Sequence, residues 1–481
     1  METCSRRISE DLQEGGERDV KIVVIAPSAL PSRRANAIQT IRMAHAFARL
    51  GHEVLLVAYA PHPQPLSQEE RGDGLPSPLG RRVGDEGLEQ PSPPAPLAQE
   101  ESGESPHPPP LSQRARGDGL PSPLGGRVGD EGLVSPPPPS SLPQGERWSW
   151  EALAEEYGLE CPFEIRWLGA KPWARRYDFA LQAVWQAHRW GADWIFTRLP
   201  QAAALASLLG IRTVFEAHDL PRGAAARLFR LFLLGRGAKR VIAISQALAD
   251  DLQKRFPDLG KRGAGFLHLA PDGVDLSRYT PLLSPAEARK KLRERGWELC
   301  EGFIAGYTGH LYGGRGADLI VALVSRLPEV HFLIVGGEGE QRQQLDHRFR
   351  SQGLTNTTLT GLVAPSQVAL FQMASDVLLM PYQEKVEASS GGDIARYLSP
   401  LKLFEYLASG RPILTSDLPV LREIVTAENA ILLPGQEIGA WENALRRLIQ
   451  NPPERHKLGE AARRTAEGYS WENRAARILA D

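Results

Sequence analysis

The amino-acid sequence predicts an α/β protein built from two domains, each with a parallel β-sheet. A chain of 481 residues is too long for one ordinary hydrophobic core, so two domains are expected. Val20–Ala26 is an apolar run apart from Lys21, which is typical of a strand buried in a parallel sheet. The stretch Ser399–Pro412 predicts a short helix ahead of a buried strand, and ligands bind beside such helices in α/β proteins.

Composition narrows the classes of function. The net charge is −2 at pH 7 and no zinc-finger spacing occurs, so no nucleic-acid partner is expected. Three widely spaced cysteines predict free thiols in a reducing compartment, and no His, Asp or Cys cluster has metal-ligand spacing. No signal peptide is visible, and no run reaches the roughly eighteen apolar residues of a membrane span. We expect a cytoplasmic protein without a metal, with peripheral contact to the inner membrane face left open.

The first domain begins after a polar tail. Val20–Ala26, a helix that ends at Gly51 and a second strand, Glu53–Tyr59, form a βαβ unit. The loop after the first strand lies at a carboxyl strand end, where such sheets bind ligands, and it leads into Asn36. Asn36 is therefore either an acceptor-side or phosphate-side contact or the N-cap of the helix.

An abrupt change of composition marks residues 61–146 as an insert in the first domain. About half of the prolines lie here, and Pro61–Leu88 recurs almost unchanged as Pro106–Leu133. This composition cannot bury enough apolar surface to offset chain entropy, and the repeat has no apolar periodicity. We therefore expect a long disordered loop.

The first domain resumes near residue 147. Val214–Asp219 ends a strand with Glu-Ala-His-Asp, and polar residues at strand ends line the cleft of an open α/β sheet. His218 is thus a candidate, although a lone histidine is commonly structural. We expect Glu216 to point away from His218 if both lie on one strand. Arg227–Lys239 is either a core-packed helix with a solvated rim or an interfacial membrane helix.

The second domain opens with a strand, Phe303–Thr308, followed by a glycine-rich loop and a helix. A glycine-rich strand-to-helix loop that carries the guanidinium of Arg315 suits a diphosphate. Further along, Asp417 is expected to cap a helix that runs to Val425. The predicted boundaries are a tail at 1–18, a first domain at 19–60 and 147–278, an insert at 61–146, a second domain at 279–465 and a C-terminal helix at 466–481.

The short helix near residue 400 has clear end signals. Ser399 suits the N-cap, Pro400 the first helical position and Gly410 the position after the last turn. Lys402 and Glu405 share one face of this helix. They form either a surface ion pair, or a phosphate-binding cation beside a carboxylate that accepts two ribose hydroxyls.

Residues 399–412 carry a family resemblance in the run Ser-Pro-Leu-Lys-Leu-Phe-Glu-Tyr-Leu-Ala-Ser-Gly-Arg-Pro. The run resembles the nucleotide-sugar motif of the retaining glycosyltransferases of family 4, which have the GT-B fold of two facing Rossmann-like domains. In that family a Glu-x7-Glu motif ends in a glutamate that holds the donor ribose, and Glu405 matches it. Tyr397 stands in place of the first glutamate, which leaves the donor-sugar contact without its usual carboxylate, and Asp393 is a candidate substitute.

Further segments carry the same resemblance. Glu-Ala-His-Asp resembles a first-domain motif whose histidine lies near the reacting sugar, which implies that place for His218. Asp272 stands for asparagine in a turn that resembles the family's Pro-Asn-Gly-Val-Asp. In the glycine-rich loop, His310 takes the position of a phosphate-clamping arginine and Arg315 that of a lysine. The implied donor contacts are Gly309, His310, Arg315, Leu362, Val363, Lys402, Leu403 and Glu405. The chain's end resembles the family's terminal helix, which crosses back to the first domain.

The resemblance implies a hexosyltransferase-type enzyme that moves a sugar from a nucleotide sugar to a hydroxyl of a glycan, lipid or small molecule, with retention of anomeric configuration. Catalytic roles fall on His218, Arg315 and Lys402, and acceptor-side contacts on Asn36 and His218. No cofactor or metal is implied, because cationic side chains can replace Mg²⁺ at the phosphates. The rival interpretations are a nucleotide-sugar epimerase, a phosphorylase, or a binding protein that has lost turnover.

Overall fold

The computed structural model describes residues 19–59, 148–174, 176–387 and 393–480. Within these ranges the strands form two sheets, and every strand pair in both sheets is parallel. The prediction of two α/β domains with parallel sheets is confirmed. The predicted tail and the predicted insert at 61–146 lie outside the described residues.

The first sheet contains strands β1 (Lys21–Ala29), β2 (Glu53–Tyr59), β3 (Glu164–Leu168), β4 (Trp194–Thr197), β5 (Arg212–Ala217), β6 (Ala238–Ala243) and β7 (Leu267–Leu269). Their order across the sheet is β3-β2-β1-β4-β5-β6-β7. The direction of strand addition therefore reverses between β1 and β4. In open parallel sheets, ligands bind outside the carboxyl strand ends at such a reversal.

Helices cover both faces of this sheet. They are α1 (Ala35–Arg49), α2 (Trp150–Tyr157), α3 (Tyr177–Trp190), α4 (Pro200–Leu208), α5 (Gly223–Leu234) and α6 (Gln246–Arg255). Ile22 and Val24 of β1 pack toward α1 and α2, whereas Val23 and Ile25 pack toward α3 and α4. Alternate strand residues point to opposite faces, and both faces of β1 are buried, which explains the apolar run.

The second sheet contains β8 (Ile304–Thr308), β9 (His331–Val335), β10 (Thr357–Gly361), β11 (Val377–Met380), β12 (Ile413–Ser416) and β13 (Ile431–Leu433), in the order β10-β9-β8-β11-β12-β13. Its helices are α7 (Pro285–Arg293), α8 (Ala317–Arg326), α9 (Gly339–Ser351), α10 (Val368–Ala374), α11 (Leu401–Ala408), α12 (Ile438–Gln450) and α13 (Pro452–Glu467). Phe332 and Ile334 pack toward α8 and α12, while Leu333 and Val335 pack toward α10 and α11. This domain repeats the layering of the first.

The last helix, α14 (Trp471–Leu479), lies on the first domain rather than the second. Trp471 and Ile478 are buried in the core beneath α1. The backbone of Val274, just before the domain linker, is hydrogen-bonded on both sides to the chain that leads into α14. None of the helices within the described residues combines the length and apolarity that crossing a membrane requires.

Two local predictions were wrong. The helix expected from Asp417 to Val425 is only a short 3-10 turn, and the Asp417 carboxylate accepts hydrogen bonds from the Arg422 side chain instead of capping a helix. The prediction of three free thiols fails for Cys161, which is disulfide-bonded, whereas Cys300 is free. Cysteine usage therefore gives no argument for a reducing compartment.

Candidate functional site

A glycine-rich loop at residues 309–316 connects β8 to α8. Gly314 has a φ of +77°, a conformation that residues with a side chain rarely adopt. A Cβ at Gly314 would lie 1.9 Å from the carbonyl oxygen of Lys385, so only glycine lets the neighbouring segment approach this closely. The backbone amide of Gln383 donates to the carbonyl of Gly314 at 2.9 Å, which holds the loop against the segment after β11.

The side chain of Lys402, in the first turn of α11, reaches this loop. Its Nζ lies 4.0 Å from the ring centre of Tyr307 and 5.0 Å from that of Tyr382. Among the described residues, no group forms a hydrogen bond with Nζ, and only 8% of the residue is exposed. Burial, followed by the charge of Arg315, lowers the pKa of Lys402 well below its ordinary value. Aromatic faces thus hold an amino group whose charged form lacks a counter-ion among the described residues.

Arg315 is the second cation of the loop. Its Nη1 donates to the hydroxyl of Tyr382 at 2.8 Å, and its guanidinium lies 5.3 Å from that ring centre. Within the described part of the chain, neither Arg315 nor Lys402 forms an ion pair with a carboxylate. A buried lysine beside a partly buried arginine, neither with a counter-ion in the described residues, favours an anion with more than one negative charge.

His310 lies in the same loop but adds no positive charge at neutral pH. Its ring stacks on Tyr312 with ring centres 4.9 Å apart. Burial, then Arg315 and Lys402, lowers the pKa of His310 to about 4. The position that resembles an arginine is therefore held by a neutral imidazole at the cleft.

Glu405 lies one turn after Lys402 and has other partners. Its Oε2 accepts a hydrogen bond from Nε2 of Gln372 at 3.2 Å, and its Oε1 lies 3.6 Å from Nη1 of Arg278 in the domain linker. The alternative prediction, a surface ion pair between Lys402 and Glu405, was wrong. Both side chains are largely buried, and Nζ of Lys402 has no hydrogen-bond partner among the described residues. Arg278 was missed at the sequence level, since nothing in the local pattern links it to α11.

The remaining predicted donor residues lie around the same loop. A Cβ at Gly309 would lie 3.1 Å from Nζ of Lys402. Leu362 directly follows β10, and Val363 packs into the core of the second domain. Leu403 is 1% exposed, so its side chain belongs to the core.

The start of α11 lies at the interface between the two domains. Ser399 does not cap the helix as predicted; its Oγ accepts a hydrogen bond from the backbone amide of Asp272 at 3.0 Å, and Pro400 occupies the cap position. The hydroxyl of Tyr397 donates to Asp251 of α6 at 2.7 Å, and its ring packs into the first domain's core. The position of the first motif glutamate therefore joins the two domains.

Asp393 is held by the backbone. Its Oδ1 accepts hydrogen bonds from the amides of Val386 at 3.0 Å and Ala395 at 2.9 Å. These bonds keep the pKa of Asp393 below its ordinary value. Residues 388–392, which immediately precede it, lie outside the described chain.

His218 follows β5 and contacts Glu216. Nε2 of His218 lies 2.5 Å from Oε1 of Glu216, so the expectation that the two point apart was wrong; residues two apart along a strand share a face. Glu216 is fully buried and forms an ion pair with Arg474 of α14 at 2.6 Å. Burial, then Arg198, lowers the pKa of His218 to about 4, so its imidazole is neutral at neutral pH.

Gln39 and Asp272 complete this cluster. The sequence analysis assigned Asp272 only to a turn and did not identify Gln39. Nε2 of Gln39 donates to Glu216 at 3.1 Å and also to Asp272. Burial raises the pKa of Asp272 to about 7. Asn36 lies apart, exposed in the first turn of α1. Its predicted N-cap role was wrong, because Arg34 occupies the cap position.

Two family models match this chain. Glycosyltransferase Family 4 matches residues 133–278, and Glycosyl transferases group 1 matches residues 302–451. Together the matches span more than half of the chain and include strands of both sheets. The chain belongs to the family 4 glycosyltransferases.

Several curated proteins resemble this glycosyltransferase at a modest level of sequence identity. The D-inositol 3-phosphate glycosyltransferase of Xylanimonas cellulosilytica is 28% identical over 253 residues, which is 50% of this chain and 58% of that protein. Its namesake in Rhodococcus erythropolis is 27% identical over 63% of this chain and 65% of that protein. A GDP-mannose-dependent alpha-(1-6)-phosphatidylinositol dimannoside mannosyltransferase of Mycobacterium tuberculosis is 26% identical over 56% of this chain and 67% of that protein. The chain thus spans less than two thirds of the first two relatives.

Solved structures show the fold of this glycosyltransferase. HepE of Anabaena, in complex with UDP and glucose, aligns with a TM-score of 0.59 over 96% of this chain and all of that one, at 14% identity. A glycosyltransferase of Rickettsia africae aligns with a TM-score of 0.60 over 97% of this chain, at 12% identity. The predicted GT-B fold is confirmed.

Proposed function

We propose that this glycosyltransferase moves a sugar from a nucleotide sugar to an acceptor hydroxyl with retention of anomeric configuration. The observation that carries the proposal is the pair of basic side chains, Lys402 and Arg315, which lie at the glycine-rich loop without an ion-pair partner among the described residues. A diphosphate supplies the charge that both cations lack. Glycine-rich strand-to-helix loops bind such groups through backbone amides as well.

The two cations act on the leaving nucleotide. As the bond between the anomeric carbon and the diphosphate oxygen breaks, the electron pair passes to the diphosphate, and its negative charge grows. Lys402 and Arg315 stabilise that charge in a site with little water, where such interactions are strong. They take the place of Mg²⁺, and we propose a reaction without metal or cofactor. Within the described residues, no cluster of His, Cys, Asp or Glu could hold a metal ion.

Nucleotide recognition falls to the groups around the cations. We propose that Glu405, fixed by Arg278 and Gln372, accepts the ribose hydroxyls. The backbone of Leu362 and Val363 would contact the base. Hydroxyl recognition by a fixed carboxylate is strong and directional.

Retention is supported by the state of the nearest carboxylates. Glu216 is paired with Arg474, Glu405 with Arg278, and Asp393 with two backbone amides. None of the three is placed as a nucleophile. We propose that the nucleotide departs first and that the acceptor attacks from the same face. The acceptor's proton then passes to the departing phosphate oxygen. Neutral His218 would face the sugar and acceptor, with Asn36 at the acceptor side.

The names of the relatives support a proposal about the classes of acceptor and donor. Two are D-inositol 3-phosphate glycosyltransferases, and one is a phosphatidylinositol dimannoside mannosyltransferase that depends on GDP-mannose. We propose an acceptor that is a phosphate-bearing polyol, either free or part of a lipid, with a sugar of UDP or GDP as donor. We also propose a cytoplasmic location with peripheral contact at the inner membrane face.

A donor and acceptor screen tests this proposal. UDP-, GDP- and ADP-sugars are first ranked by thermal stabilisation, since ligand at 100 times its Kd adds about 2.7 kcal/mol. The best donor is then incubated with inositol phosphate, and the coupling constant at the new anomeric carbon is read by NMR. An α-linked donor should give an α-linked product. A β-linked product would contradict retention and make His218 the leading general base.

Two outcomes of the same screen distinguish the rivals. Donor binding without release of nucleoside diphosphate would indicate a binding protein that has lost turnover. An isomerised nucleotide sugar in the absence of acceptor would indicate an epimerase. Lys402→Met serves as the control, because it removes the buried charge while keeping a side chain of similar length.

A further inference from the structure

We propose that the outer face of helices α3, α4 and α5 docks on an anionic lipid bilayer. Among the described residues, ten large hydrophobic side chains are exposed, and eight of them lie on these helices or in the turns directly beside them. They are Trp173, Tyr177, Leu181, Trp185, Leu208, Leu209, Leu231 and Leu234. The remaining two are Leu269 and Leu282. We call the surface of these eight residues the lipid face.

An aromatic row on α3 is the clearest part of the lipid face. Trp173, which is 79% exposed, lies in the 3-10 turn Pro172–Ala174 just before α3. On α3 itself, Tyr177, Leu181 and Trp185 follow one another at intervals of four, with exposed fractions of 49%, 61% and 51%. Residues four apart share one face of a helix. The opposite face of α3 is buried in the core. Tryptophan and tyrosine are enriched at membrane–water interfaces, where their rings lie at headgroup level.

The charge around the lipid face fits an anionic surface. Between Lys171 and Arg240 the sequence has twelve Lys and Arg but only four Asp and Glu, although the whole chain has a net charge of −2. Glu216, one of the four, is buried and lies 3.9 Å from Arg198, one of the twelve, so both belong to the cleft cluster and eleven basic residues face three acidic ones elsewhere in this segment. Arg227, Arg236 and Lys239 are exposed and pair with no carboxylate of the described residues. Basic residues near anionic lipid add electrostatic attraction to the surface.

The excess of positive charge favours lipid over a second copy of the chain as the occupant. Two copies that met through this face would bring their basic residues together without compensating acids. Headgroups of anionic lipids supply the negative charge, and the bilayer interface accepts the tryptophans.

The lipid face changes the earlier interpretation of Arg227–Lys239 as an interfacial helix. Phe229, Phe232 and Leu233 of α5 are buried in the first domain's core, so α5 does not leave the domain to insert. The helix contributes only its outer rim, with Leu231 and Leu234. Docking is therefore by a folded layer of helices, with α3 as its aromatic part.

This inference extends the peripheral contact proposed above by giving its surface and lipid class, and it can fail while the transferase activity stands. The start of α3 follows β3 at the carboxyl end of the sheet, which is the edge where the cleft lies. Trp173 and Tyr177 would thus hold the cleft edge near the bilayer, where a lipid-linked acceptor resides.

Vesicle co-sedimentation of the full chain tests the proposal. The probes are vesicles of phosphatidylcholine alone and of phosphatidylcholine with phosphatidylglycerol. We expect the protein to bind the mixed vesicles and to be released by salt. The double variant Trp173→Ser/Trp185→Ser should lose at least tenfold in affinity, and Arg227→Glu/Arg236→Glu should lose the preference for anionic lipid. Leu282→Ser, an exposed leucine outside the lipid face, is the matched control and should bind as the wild type does.

Three results would overturn the proposal. These are absence of binding to mixed vesicles, equal binding to both vesicle types, and a dimer in sedimentation equilibrium that the tryptophan double variant dissociates. Thermal stabilisation by nucleoside diphosphate is measured on the same variants. Its retention shows that they are folded, and its absence in the wild type would count against the proposed function alone.

Discussion

At the scale of single residues, the donor site depends on how Lys402 is buried. An ammonium enclosed by Tyr307 and Tyr382 would be easier to deprotonate than one in water, and the lowered pKa of Lys402 expresses this cost. An anion bound beside it removes the cost. The same burial that destabilises the free protein therefore makes diphosphate binding favourable.

Substitutions of Arg315 and of Glu405 should have different effects on the kinetics. Arg315→Ala should lower kcat by about 10²–10³-fold, because leaving-group charge develops mainly in the transition state. Glu405→Ala should also weaken donor binding, because ribose contacts exist before the reaction. Steady-state kinetics with varied donor would measure both. Arg326→Ala, at the exposed end of α8, is the control, and wild-type turnover in Arg315→Ala would remove that residue from the mechanism.

Asp272 should make stability depend on pH in an unusual direction. Its pKa is raised by burial from an ordinary 3.8 to about 7. A raised pKa in the folded state gives stability that is complete below the unfolded value and is lost as pH rises through about 7. Asp272→Asn removes this loss. Its gain in unfolding free energy should therefore grow by about 1 kcal/mol per pH unit between pH 5 and pH 7.

Urea denaturation of the two proteins at several pH values would measure that difference. The buried His218 titrates in both proteins, so its contribution cancels. A gain that stays constant with pH would show that Asp272 is ionised in the folded protein throughout.

At the scale of elements, local signals predicted helices and strands well where they agreed with the core. The strand Glu53–Tyr59 has the bounds expected from the sequence, and the expected strand Phe303–Thr308 begins one residue later, at Ile304. The cap of α11 was misassigned because Ser399 bonds to Asp272 in the other domain. A local pattern contains no information about such a partner.

In the strand-to-helix loop after β8, alanine substitutions at two adjacent glycines should differ in their effect on stability. Gly314→Ala should lower stability by about 1–3 kcal/mol and abolish donor binding, because its Cβ would meet the backbone of Lys385 at a positive φ. Gly313→Ala is the matched control, since its Cβ would meet only the exposed and flexible side chain of Glu387. Thermal unfolding with and without donor measures both effects. Equal tolerance of the two substitutions would contradict the described loop.

At the scale of the whole molecule, sequence reasoning predicted the fold but not the contacts between segments that are distant in the sequence. Arg278 and Glu405, or Glu216 and Arg474, are distant in the sequence and meet only in the folded chain. Nothing in their local spacing indicates the partner. Lys402 and Arg315 could be found, because the helix start and the glycine-rich loop have recognisable patterns of their own.

The repeat-containing segment should be dispensable for the fold. Its composition cannot supply a core, and closure entropy changes slowly with loop length. We expect that replacing Pro61–Gly145 by a short Gly/Ser linker leaves cooperative unfolding and donor binding intact. Calorimetry of the shortened chain would measure this. Loss of the cooperative transition would show that the segment belongs to the core.

The most direct test of the account is the affinity for nucleoside diphosphates. Titration calorimetry with UDP and GDP, and with the corresponding monophosphates, would be performed on the wild type and on Lys402→Met. We predict binding of at least one diphosphate, at least tenfold weaker binding of its monophosphate, and loss of that preference in Lys402→Met. Equal affinity for monophosphate and diphosphate, or an unchanged preference without the Lys402 ammonium, would contradict the central claim that the cation pair binds the donor's diphosphate.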